Sequence, residues 1–145
     1  MALDSSRVIN GQFGEVWQDG KWLTNVTKAE ATVEINKEEI TRSGTRWIGH
    51  KVTSLKGGGT ISGYKVTSDF IKLIGAVASD RGKPYVTELI LKLDDPEAFG
   101  AERVRLKSVQ FDQIPLGMFE VGSIVEEELP FTFSGYDLLD AIKEA

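Results

Sequence analysis

Polar and apolar residues alternate along Ala29–Asn36, with Ala29, Ala31, Val33 and Ile35 facing one way and Glu30, Thr32, Glu34 and Asn36 the other. That period of two predicts a half-buried strand. Just before it, Asp19-Gly20 separates Trp17 from Trp22, a hairpin signal, because a type I′ turn needs positive φ at both central residues. After it, residues 37–56 lose their periodicity and contain Gly44 and Gly49, which predicts a long irregular connection. Such connections in compact domains are usually functional or disordered. This one also carries Trp47 and Ile48, apolar residues that a solvated loop does not need.

Further along, Thr60–Val66 and Tyr85–Leu93 read as strands. Between them Phe70, Leu73, Ile74 and Val77 fall at i, i+3, i+4 and i+7, predicting one helix over about 68–80. Thr67 or Ser68 is placed to cap its start, Asp69 suits its positive end, and Gly82 its close. In Glu102–Phe111 the apolar positions shift from even (Val104, Leu106) to odd (Val109, Phe111), which requires a bulge near Lys107-Ser108. Val125, Glu127, Leu129, Phe131 and Phe133 share one face of a strand whose Pro130 places it at an edge or beside a bulge. A short terminal helix is expected from about Asp137 to Lys143. No repeat, linker or low-complexity tract interrupts the chain, so residues 1–145 read as a single, mainly β domain with one flanking helix.

Gly57-Gly58-Gly59 is the one stretch that invites a phosphate. It fails the test for a Walker loop, in which a lysine follows the last glycine. Here Lys56 precedes the first, and the glycines lead into a strand where a nucleotide fingerprint opens a helix. A flexible turn or a close backbone approach fits better. His50, the single histidine, has no partner at motif spacing, so it reads as an interface or structural residue. Asp94-Asp95 and Glu126-Glu127-Glu128 lack a calcium-loop pattern and read as a solvated turn and a charged edge. Alternation turns at least one of those three glutamates toward the buried side or a partner. No catalytic residue, metal site or cofactor is expected.

Charge sharpens this picture. Residues 1–93 carry 13 Lys/Arg against 10 Asp/Glu, and residues 94–145 carry 4 against 12. The acidic second half argues against duplex binding, which needs clustered positive charge. Lys37–Lys56 alone holds five Lys/Arg against two Glu. With no cysteine, thiolate chemistry and disulfides are excluded. No apolar run is long enough to span a membrane, and the first residues lack the basic and apolar regions of a secretory signal, so cytoplasmic synthesis without export by that route is expected. An awkward edge, a basic loop carrying apolar residues and an acidic second half suit self-assembly, in which head-to-tail contacts close rings and rings stack.

Several segments, in order, resemble contractile-phage tail tube proteins of the PBSX prophage type. They are Gly49–Lys51, Gly59–Phe70, Glu102–Val104, Glu126–Phe133 and the opening hairpin Asn10–Leu23. The resemblance implies a β-barrel or sandwich subunit of a hexameric ring, with rings stacked into the rigid inner tube of a contractile phage tail or phage-tail-like bacteriocin, which conducts DNA or punctures the target envelope when the sheath contracts. Lys37–Lys56 would then be the loop that reaches the neighbouring ring, through Arg42, Arg46, Trp47, His50 and Lys51. Glu126, Glu127, Glu128 and Phe131 would lie on an edge strand between subunits, and Gly57–Gly59 would permit a close approach. The implied partners are further copies of the chain, a tail sheath, tape-measure and baseplate initiator proteins, and DNA passing through an acidic lumen without specific binding. The implied location is the virion tail, assembled in the bacterial cytoplasm. Two rivals remain: a type VI secretion tube protein, and a monomeric β-sandwich that binds a glycan through Trp17, Trp22 and Trp47.

Overall fold

At Asp19-Gly20 the chain takes φ of 48° and 81°, the positive pair that a type I′ turn demands. Strands β1 (Gly14–Gln18) and β2 (Lys21–Trp22) therefore pair with Trp17 opposite Trp22. The computed structural model describes residues 3–143, and its strands form one antiparallel eight-stranded sheet. The others are β3 (Val26–Ile40), β4 (Gly49–Tyr64), β5 (Val86–Leu93), β6 (Glu102–Phe111), β7 (Glu126–Phe133) and β8 (Gly135–Asp140). The main path runs β2-β1-β5-β6-β7-β4-β3, with β8 also on β6. The sheet curls around Val16, Ile61, Leu89, Leu106, Val109, Leu129, Phe131 and Phe133, all buried. Where β1 comes round toward β3 an apolar groove of about 600 Å³ remains, lined by residues such as Leu23, Val33, Leu91 and Val104.

The glycines lie inside β4, not in a turn. Gly57, Gly58 and Gly59 pair with Phe133, Thr132 and Phe131 on one side and with Val33, Thr32 and Ala31 on the other. A Cβ on Gly57 would sit 2.5 Å from the Phe133 ring. One on Gly59 would collide with the Glu30 carbonyl oxygen and stand 2.7 Å from the Phe131 ring. Gly58 points the other way and would meet only the Phe131 carbonyl oxygen, at an ordinary 3.6 Å. The close approach is thus made by this chain's own phenyl rings. Those rings continue a chain of contacts in which Phe70–Phe111, Phe111–Phe131 and Phe131–Phe133 have centroids 5.7, 6.3 and 6.3 Å apart. Each such pair adds about 0.5–1.5 kcal/mol beyond its buried area.

The bulge lies where the parity change requires it. Thr87 pairs with Val109 and Leu89 with Leu106, so Lys107 and Ser108 together oppose Glu88. Ser108 takes φ of 54°, and both Leu106 and Val109 turn inward. The same point on β6 divides its other edge, where β7 pairs at Gln110 and Phe111 and β8 at Arg103–Lys107. Thr132↔Gln110 and Gly135↔Lys107 keep one register across the gap, and Ser134 N–H donates to the Lys107 carbonyl at 3.1 Å. β7 and β8 are one strand line along β6, broken at Ser134.

One helical expectation fails and the other is met in shortened form. Residues 137–143 do not form a helix, because β6 offers an open edge and matching charge. Asp137 accepts from Arg105 at 2.7 Å and lies 3.0 Å from Lys107 Nζ, while Asp140 pairs with Arg103. The helix expected over 68–80 is shorter. Its α-helical part, α1, spans Asp69–Ile74 and passes into a 3₁₀ turn at Gly75–Ala78. Phe70 packs on Phe111 and Ile74 is buried, but Leu73 and Val77 stay exposed, so beyond the second turn the apolar stripe has no wall to cover it. Ser68 makes no side-chain cap, whereas Thr67, the other candidate, accepts from Asp69 N–H through its Oγ1 at 3.4 Å, and Gly82 permits a tight return over Ala76, not a helix end.

Gly59→Ala is expected to destabilise the subunit by about 1–3 kcal/mol through overpacking. Gly58→Ala should be neutral or stabilising by up to about 1 kcal/mol, because the backbone loses less freedom. Urea unfolding of the two variants measures the contrast. The hydrogen bond from Lys107, then that from Arg105, holds the Asp137 carboxyl below its ordinary value of 3.8. Its contribution is complete above the unfolded-state pKa and is lost as pH falls through the lowered folded value. Asp137→Asn should therefore lower Tm at neutral pH, with the difference closing in acid.

Candidate functional site: the β3–β4 arm and the β7 groove

No irregular loop occupies residues 37–56. β3 and β4 stay paired from Val26↔Gly63 out to Ile40↔Gly49, leaving only 41–48 as a tip. The segment shows no period in sequence because no core lies over either face. β7 covers β4 only from Gly57 to Tyr64, so the eight residues Gly49–Lys56 lie beyond it. With β3 they project as a two-stranded arm roughly 26 Å long, at about 3.3 Å per residue.

The arm carries apolar residues into solvent. Ile35 sits opposite Leu55 on the face that holds Val33 and Gly57 nearer the core, yet both are exposed. Val52, Ile40 and Ile48 are exposed too, and Trp47 at the tip is 80% exposed. Burying one such side chain yields about 1.5–3 kcal/mol, a strong drive to cover it. Charge along the arm is graded. Lys51 pairs in register with Glu38, and His50 with Glu39, leaving Arg42 and Arg46 as the cations of the tip. Arg42 also braces the tip, its Nη2 donating to the Trp47 carbonyl at 3.3 Å.

The three glutamates occupy the first half of β7, which is paired with β4 but not with β6. The expected intersubunit edge is therefore only that half. Phe131, assigned to it from sequence, is 1% exposed and belongs to the core. Pro130 marks the boundary: its carbonyl accepts from Asp112 N–H at 2.9 Å where the β6 ladder stops. Beside this half-edge, residues 112–125 cross without regular structure and hold Leu116, Met118, Phe119, Val121 and Ile124 in the open, Val121 at 94% exposure. That apolar loop escaped the sequence reading, although its composition was visible. Together with Glu126–Glu128 and Pro130 it borders a groove of about 520 Å³.

Elsewhere the candidate chemistry resolves into structure. Asp95 is buried and accepts from the backbone N–H groups of Asn10 and Glu97 at 2.8 and 2.9 Å, so it ties the first turn to β5. Trp17 and Trp22 stack on one another at 6.2 Å, and Trp47 lies apart on the arm. The tryptophans form no common platform. Among the described residues no group of acidic or histidine side chains is arranged to hold a metal ion.

A curled sheet with a half-covered edge, a projecting arm and large exposed apolar groups defines a subunit made to be completed by others. The comparisons give that class its family. The phage tail tube protein family matches residues 1–140, and the chain belongs to it. It is 37% identical over 145 residues to the phage-like element PBSX protein XkdM of Bacillus subtilis (strain 168), covering 99% of each chain. Its fold is similar to a chain of the anti-feeding prophage tube-terminating cap (TM-score 0.76, 12% identity, 97% of this chain and 95% of that one). It is also similar to a chain of the sheath–tube complex of an extracellular contractile injection system in its extended state (TM-score 0.70, 8% identity, 95% and 100%). The protein is a structural subunit of a tail tube.

Trp47→Ser should change subunit stability by less than about 0.5 kcal/mol, as exposed substitutions do. It should nevertheless slow self-association, as measured by light scattering of concentrated protein.

Proposed function

We propose that six copies close into a ring and that rings stack into the rigid inner tube of a contractile tail, surrounded by a sheath and started on a baseplate initiator, with a tape-measure protein inside. The chain acts mechanically, without catalysis, as one tube domain over residues 1–145 in a tail put together in the host cytoplasm. The observation that carries this reading is the β3–β4 arm, whose core-type face runs past the core and ends in exposed Trp47. A monomer rarely keeps so much apolar surface open, whereas an assembly covers it. The long outer edge of β3 has the same logic, since pairing with a neighbour satisfies it. Arg42, Arg46, Trp47, His50 and Lys51 are carried on the arm toward the next ring.

The bore is acidic in this reading. Each copy carries −5, so six carry 6 × (−5) = −30 per ring, and DNA slides along a surface that repels it. Relatedness to a PBSX protein favours a phage-type tail over a secretion tube, and the separation of Trp47 from Trp17 and Trp22 disfavours the glycan-binding monomer.

Electron microscopy of concentrated protein should show hollow rings and tubes. Arg46→Glu combined with Lys51→Glu should leave a folded subunit that no longer builds tubes. Tubes of normal length from that double variant refute the role given to the arm.

A further inference from the structure

The groove beside β7 holds an acceptor that its own chain leaves unused. The Glu127 side chain is only 10% exposed, and its Oε1 is buried without a hydrogen-bond partner among the described residues. Lys65 Nζ stands 3.6 Å away, near enough to attract it but too far to donate. A buried carboxylate oxygen in that position is costly unless a donor completes it. Glu126 and Glu128 border the same groove from the solvent side. Ile114, Pro115, Leu116 and Met118 form its apolar wall.

We infer that this groove is the receptor for the arm tip, residues 41–48, of a second copy of the chain. The inference rests on the tube reading and names the surface that the arm engages. Complementarity selects the occupant. The tip presents Arg46 beside Trp47, a cation next to a large exposed aromatic, and the groove presents three carboxylates next to a thioether and branched apolar side chains. A guanidinium carries five donors in a fixed fork and so suits the exposed carboxylates of Glu126 and Glu128, with the under-satisfied charge of Glu127 behind them. Trp47 covers the Leu116–Met118 wall, where sulfur–aromatic contact is favourable. Leu116, Met118, Glu126 and Glu128 are exposed in the single subunit, as are Arg46 and Trp47, and each surface supplies what the other lacks: a cation for the glutamates at the rim above Glu127, and an apolar wall for Trp47.

The absence of cysteine from the chain allows a clean test. Two single-cysteine proteins, Thr45→Cys and Gly117→Cys, are mixed under tube-forming conditions and oxidised. A disulfide-linked dimer that requires both proteins is expected. In parallel, Glu126→Lys with Glu128→Lys should abolish tubes, and adding Arg42→Glu with Arg46→Glu should restore them, which a merely structural role for the glutamates cannot do. Tubes from the parent without mixed dimers and without charge-swap rescue overturn the inference and leave the tube reading standing. A parent that forms neither rings nor tubes overturns the tube reading, and the inference falls with it.

Discussion

The phenyl rings of Phe131 and Phe133 lie where the side chains of Gly59 and Gly57 would be. This steric exchange is the constraint on which the rest of the sheet depends. It lets β4 carry β3 on one edge and β7 on the other while two large rings pack against its backbone. The rings then reach Phe111 on β6 and, through it, Phe70 on the helix. Glycine weakens a strand by its own propensity. Here that loss is offset by aromatic burial that no side chain at 57 or 59 would permit.

Where the rings end, the arm begins. Phe133 is the last β7 residue opposite β4, and at Ser134 the chain leaves β4 behind and continues as β8 on β6. The bulge at Ser108 on β6 faces this break. One strand line therefore serves two neighbours in turn, and the price is that the outer half of β4 has only β3 for company. The projecting arm is a consequence of how β7 and β8 divide their pairing.

An isolated two-stranded hairpin is marginal in water, and this one carries Ile35, Leu55, Val52 and Trp47 into solvent. The loop over 112–125 does the same beside a half-covered β7. These are liabilities for a monomer, and in the tube proposed above they are the surfaces for a neighbour to remove from water. In the docking inferred above, the acidic groove and the cationic tip would add direction to association, because opposite charges favour one docking register over others.

By itself the sequence determined those features that depend on near neighbours. Asp19-Gly20 specified its turn by backbone sterics, and the parity change in Glu102–Phe111 forced a bulge whatever the fold. The alternation of Ala29–Ile35 declared a strand, and family resemblance in Gly59–Phe70 and Glu126–Phe133 declared the kind of subunit. Tertiary structure decided what local pattern leaves open. Residues 37–56 are strands because they pair with each other, which an absent period cannot reveal. Residues 135–140 are a strand because β6 had an open, cationic edge, which outweighs the local preference for a helix. Phe131 is core and Glu127 lies at a groove because β6 covers only half of β7. Each of these outcomes depends on a partner far away in the chain, and a residue's own neighbours carry no record of it.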